Sequence, residues 1–210
     1  MIVHVVMRPT PALPDQPRAQ AQPVDLDVYR LAETDLSAVT GLHLAGDVDQ
    51  LFLSAIQPKL DAFVRGGGRI LVNGHVQRPF LTGLSPWRKL TFSGPRDLAL
   101  TRQSDHPVWR GSDPEAFLYS TGEPGRVPRE RLREIGVSGF YGRGYLSRLP
   151  EGATVVHSIG EVLAPIDVEY PLGEGRVLVH CGNDLGMFIS EDRGTEHMRA
   201  QLADWLGGAA

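Results

Sequence analysis

The hydrophobic positions of this chain fall into short solid runs and one stretch with helical spacing. Residues 2–7 are almost all apolar, the pattern of a strand covered on both faces in a parallel sheet. Residues 41–45 read the same way. From Gln50 onward, Leu51, Phe52, Ala55, Ile56, Leu60, Phe63 and Val64 recur so that one side of a helix faces a core. Pro58 interrupts this pattern. Proline lacks the amide hydrogen an interior turn needs but suits a first turn, so Pro58 is expected either to kink the helix or to restart it as the first residue of a second segment. Gly66, Gly67 and Gly68 end the helix. Residues 69–72 form a short buried strand, and Asn73, Gly74 and His75 turn at its carboxyl end. Strand, helix and strand in this order predict a parallel pair with a right-handed crossover. Ligands gather at the carboxyl ends of strands in such sheets, which makes Gly46-Asp47 and Asn73-Gly74-His75 the candidate site positions.

The flanking text is less regular. Residues 8–24 carry five prolines and predict a surface loop with at most one helical turn, at 18–22. Residues 25–31 read as a second strand and 33–39 as a connector. Beyond His75, residues 79–81 and 85–87 suggest loop or short helix over the site side of the sheet. A strand is expected at 98–101, a compact turn around Trp109 at 106–111 and a short helix at 114–118; 131–145, with four glycines, yields no firm element. Residues 154–158, 162–170 and 176–181 read as three strands. The first two make an antiparallel extension at a sheet edge, and the third returns to the centre. An amphipathic helix at 195–206 closes the chain, with Met198, Leu202, Trp205 and Leu206 on one face. No internal repeat or boundary divides residues 1–210, so one domain is expected.

Composition narrows the function classes. The formal net charge is −4, and without a basic excess there is no reason to expect nucleic acid as a partner. The single cysteine, Cys181, excludes an internal disulfide and fits a reducing compartment. The N-terminus lacks the basic and apolar regions of a signal peptide, and no apolar run approaches the roughly 20 residues of a membrane helix. The expectation is a soluble cytoplasmic protein that engages no membrane. No metal-ligand spacing such as HExxH or paired CxxC occurs, so neither metal nor cofactor is expected. Gly66–Gly68 is no phosphate loop, because it precedes a strand instead of following one.

A family resemblance rests on several stretches after residue 40. They are residues 42–46, the FVRGGG ending of 60–68, residues 69–75, His106-Pro107-Val108-Trp109-Arg110-Gly111, residues 149–153 and residues 173–177. In this order they resemble the class I glutamine amidotransferase-like superfamily, especially its trehalose-utilisation (ThuA-like) branch. The resemblance implies a flavodoxin-like three-layer α/β/α sandwich with a mostly parallel sheet and, in the C-terminal half, the antiparallel extension. It also places a nucleophilic cysteine on the turn after residues 69–72, where this chain has Asn73-Gly74-His75. His180 stands where the family's histidine lies, but Asn183 and Asp184 follow in place of the expected glutamate. Attack by a thiolate needs nucleophile, base and oxyanion donors together, so glutaminase activity is not expected.

Each remaining candidate has a structural reading beside the functional one. His75 at a strand end suits a base or ligand contact, or a cap on the next turn. Asp47 and Asp49 offer hard oxygens, though Asp49 reads first as a helix cap. Cys181 adjoins His180, yet neighbouring strand residues face opposite ways, which favours a buried structural thiol. Asn183 and Asp184 have turn chemistry.

The preferred expectation is a domain without the nucleophile that binds a small polar ligand or a protein partner at the strand ends, through Gly46, Asp47, Asn73, Gly74, His75 and Asn183. A homodimer is compatible with this, Trp87 and Trp109 serving either as contact aromatics or as packing on the core. The alternative is a hydrolase or isomerase of a sugar-like molecule using His75 with Asp47, His180 or Asp184, with or without a metal.

Overall fold

The computed structural model, which describes residues 1–8 and 23–209, splits the segment around Pro58 into two helices, α1 (Gln50–Ala55) and α2 (Gln57–Arg65). Asp49 caps the first, its carboxylate accepting the Leu51 and Phe52 amides at 2.9 and 3.0 Å. Pro58 sits in the first turn of the second, where its missing donor costs nothing. Two short helices complete the set, α3 (Leu132–Ile135) and α4 (His197–Gly207). No helix among the described residues is long and apolar enough to cross a membrane. The proline-rich loop expected at 8–24 lies largely outside the described residues, and the turn expected at 18–22 wholly so.

The strands in chain order are β1 (Ile2–Val6), β2 (Val24–Asp27), β3 (Gly41–Leu44), β4 (Arg69–Asn73), β5 (Trp87–Lys89) and β6 (Leu100–Arg102). They continue with β7 (Tyr119–Ser120), β8 (Gly139–Phe140), β9 (Gly144–Leu146), β10 (Thr154–Ile159), β11 (Ala164–Leu172) and β12 (Gly175–His180). Eight of them form one sheet in the order β2-β1-β3-β4-β12-β11-β10-β6. The pairings from β2 to β12 are parallel. Those from β12 to β6 are antiparallel. This is the mixed α/β sheet expected, mostly parallel and with its antiparallel strands in the C-terminal half. The pairs β5–β9 and β7–β8 are separate two-stranded ribbons.

Close contacts identify the two faces. Leu206 of α4 lies directly on Gly41, leaving no room for a Cβ there, while Val64 of α2 lies on Gly175. Gly41 pairs with Arg69 and Arg69 with Arg176, the residue after Gly175. Because successive strand residues point to opposite sides, α2 and α4 cover opposite faces of the sheet. The apolar side of α2 buries Leu60 and Val64; α4 buries Met198, Leu202, Trp205 and Leu206.

Several local expectations are corrected. The second strand ends at Asp27, whose carboxylate accepts the Tyr29 amide and turns the chain into a 3-10 turn over Val28–Arg30. Trp87 belongs to a strand, not a loop. Residues 114–118 contain only a 3-10 turn, Pro114–Ala116. Val162 is excluded from β11: it is 74% exposed in the turn between β10 and β11, beside Leu163 at a positive φ of 50°. Trp109, for which the sequence leaves dimer contact and core packing both open, is 1% exposed and donates its indole N–H to the Tyr141 hydroxyl, so it packs on the core.

Candidate functional site

The two strand-end turns singled out in the sequence meet. Gly74, at φ 118°, packs its backbone on Gly46 so closely that neither position admits a larger residue without displacement. The Gly74 amide donates to the His180 carbonyl at 2.8 Å, which joins the turn to the end of β12. Gln50 braces the same turn from α1. Its amide donates to the His75 carbonyl, and its oxygen accepts the Gln77 and Arg78 amides. Gly46 and Asp47 are exposed at this rim.

His75 does not project freely from the turn. Its ring stacks on Trp87 with centroids 4.4 Å apart and 30° between planes. The His75 Nε2 and Trp87 Nε1 atoms are both enclosed without a hydrogen-bonding partner in the protein. Burial holds the imidazole below its ordinary value, and the positive charges of His180 and Arg143 act in the same direction. His75 is therefore uncharged at neutral pH.

His180 is turned into the protein on the face that α4 covers. Its Nδ1 is 2.6 Å from Asp167 Oδ1 and its Nε2 is 2.6 Å from the Asn183 carbonyl. Both neighbours are acceptors, so a ring carrying both protons satisfies both contacts. Asp167 also accepts from the Tyr141 hydroxyl at 2.8 Å and from His157 Nδ1 at 2.9 Å. Burial alone would raise the Asp167 carboxyl, but the His180 charge and the bonds from His157 and His180 bring it down to about 2. Tyr141, enclosed beside that carboxylate, is pushed well above the ordinary phenol range. The network is a sealed set of hydrogen bonds with its donors and acceptors in place, save His157 Nε2, which has no partner.

The other predicted residues serve local structure. Asn73 Nδ2 reaches His43 Nε2 at 3.3 Å, and its Oδ1 accepts the Leu185 amide at 2.9 Å. Asn183 donates its side-chain amide to the Phe140 carbonyl at 2.6 Å. Asp184 caps the 3-10 turn Leu185–Phe188 through the Gly186 amide. Cys181 is fully buried, and burial pushes its thiol strongly upward; the Asp167 charge adds to this, against a bond from the Val76 amide. The structure thus joins Gly46, Asp47, Asn73, Gly74 and His75 at one rim. It leaves His180 and Cys181 beneath it and commits the Asp184 carboxylate to a cap. Among the described residues, no group of three or more His, Cys, Asp or Glu is arranged to hold a metal ion.

Two features escaped the sequence reading. One is the His157–Asp167–Tyr141 part of the buried network, whose only signal was a histidine and an aspartate inside largely apolar strands. The other is a histidine pair on adjacent parallel strands. The His4 and His43 rings lie 4.6 Å apart, and His4 Nδ1 is 3.0 Å from Asp25. Burial lowers His43 to about 4, with His4 acting in the same sense and Asp184 opposing.

No family model and no curated protein sequence matches this chain. Among solved structures, cytoplasmic protein STM1381 from Salmonella typhimurium LT2 is similar at a TM-score of 0.53 and 12% identity, covering 90% of this chain and 81% of that one. Cytoplasmic protein STM3548 from Salmonella typhimurium is similar at 0.52 and 11% identity, covering 85% and 80%. At these identities the likeness is one of fold.

Proposed function

We propose that this chain is an amidotransferase-like domain of the ThuA-like type that binds instead of catalysing, and that it takes a small polar ligand at the rim formed by the Gly46 and Gly74 turns. The observation that carries this reading is the commitment of His180. Both of its ring nitrogens are already bonded inside the protein, to Asp167 and to the Asn183 carbonyl. A general base must be free to take a proton from a reacting group within hydrogen-bonding reach, and this imidazole is not. The turn after β4 supplies no thiol or hydroxyl, and the one thiol in the chain is enclosed. What the rim offers is exposed backbone at Gly46 and the Asp47 carboxylate, held rigidly by close glycine packing.

The test is a pair of measurements on the intact chain. Incubation with glutamine is expected to release no ammonia. Titration with trehalose and with glucose, followed by amide NMR, is expected to shift Gly46, Asp47 and Gly74 for at least one sugar. Glutamine hydrolysis would overturn the non-catalytic part. Silence at all three amides would overturn the polar-ligand part.

A second reading, a hydrolase or isomerase of a sugar-like molecule through His75, has one observation in its favour: burial keeps that imidazole uncharged at neutral pH, as a base requires. Turnover of a nitrophenyl glycoside panel that disappears in His75→Ala would establish it in place of binding.

A further inference from the structure

We infer that a second site, separate from the rim, binds a small organic anion in the cleft between Arg193 and residues 115–129. The cleft measures about 300 Å³, at the lower end of the range for small-molecule sites, and shares no lining residue with the Gly46–Gly74 turns.

Its floor is Arg193, which the loop after β12 brings under β7. The guanidinium is half-buried and donates through Nη1 to the carbonyls of Ala116 and Tyr119 at 2.9 and 3.0 Å. It lies 5.8 Å from the centroid of the Phe188 ring. Among the described residues no carboxylate stands within 4 Å of it. Asp192 acts on it only at longer range; a half-buried guanidinium without an ion pair favours an incoming anion, and it presents donors in the fork that fits a carboxylate or phosphate.

Two more guanidinium groups line the cleft. Arg126 pairs with Asp113 at 3.2 Å, and Arg129 with both oxygens of Glu115 at 3.0 and 2.8 Å. All four side chains are largely exposed. Exposed pairs of this kind contribute on the order of 0–1 kcal/mol, so either arginine can turn to a ligand at little cost. The lining of the cleft itself holds these three guanidinium groups and one carboxylate, Glu115.

The remaining wall is apolar. Val127 and Pro128 face Tyr119, whose hydroxyl is spent on the Val127 carbonyl at 2.7 Å, leaving its ring as a surface for an organic body. Charge on one side and an aromatic wall on the other select a carboxylate or phosphate ester on a flat or apolar carrier, in preference to a bare inorganic ion.

The experiment is NMR titration of the full chain with phenyl phosphate, benzoate and inorganic phosphate as separate arms. Saturable shifts at Tyr119, Val127 and the Arg193 side chain are expected with phenyl phosphate or benzoate, at least about tenfold tighter than with inorganic phosphate. Whichever of the two organic anions binds identifies the acid group. The double variant Arg126→Ser with Arg129→Ser alters only exposed positions and is expected to weaken binding about tenfold. Arg193→Lys keeps the charge, loses the fork and is expected to weaken it further. The inference is overturned by the absence of saturation with both organic anions in the millimolar range. Equal affinity for inorganic phosphate, or a double variant that binds unchanged, also overturns it.

Discussion

Nδ1 of His180 lies 2.6 Å from Oδ1 of Asp167, and neither side chain reaches solvent. The end of β12 and the middle of β11 are thereby joined by a buried, hydrogen-bonded pair beneath the Gly46–Gly74 turns. Removing one member of such a pair strands the other as a buried charge, which is far costlier than the net worth of the intact pair. His180→Ala is accordingly expected to destabilise the fold by about 3–5 kcal/mol in urea unfolding. A loss below about 1 kcal/mol would show that the pair does not hold the sheet together.

Acid should unfold the protein in two stages. His43 is held at about 4 against an ordinary 6.5. The unfolded chain therefore takes up a proton there before the folded one does, and stability present above 6.5 is lost as pH falls toward 4. Asp167, brought from 3.8 to about 2, contributes stability that is complete above 3.8 and is lost as pH falls toward 2. The first stage is worth on the order of 3 kcal/mol and the second on the order of 2 kcal/mol. Urea midpoints measured across both windows should fall twice, and His43→Gln should reduce the first fall, to which the lowered His75 also contributes. An unchanged first fall in that variant rules His43 out as its cause.

Leu163 holds φ at 50° with its side chain half exposed, so the left-handed backbone is strained and little burial offsets it. Leu163→Gly relieves that strain and is expected to add about 1 kcal/mol, seen as a rise in Tm of about 2–4 °C. A drop in Tm would mean that the leucine makes a contribution the turn geometry does not reveal.

Cys181 should resist thiol reagents in the native protein, because burial and the nearby Asp167 charge both disfavour the thiolate. Labelling should proceed only at the rate of unfolding and become immediate in denaturant. Rapid native labelling would reopen thiol chemistry at this position.

The sequence alone was enough for the β3–α1–α2–β4 unit, the break at Pro58 and the central place of residues 69–72. Each depends on periodicity or on the local stereochemistry of proline and glycine, which neighbours in sequence set. It was likewise enough to see that no nucleophile stands at Asn73-Gly74-His75, since that is a matter of residue identity. Tertiary structure alone decided where the polar side chains spend their hydrogen bonds. Nothing near His180 in the chain says that its ring meets Asp167 and the Asn183 carbonyl, or that His75 lies on Trp87. The pairing of His4 with His43 was hidden for the same reason. Such partners come from different strands and loops, and a buried donor finds its acceptor through the sheet register and the packing of the loops above it. Those are properties of the whole fold that no window of sequence contains.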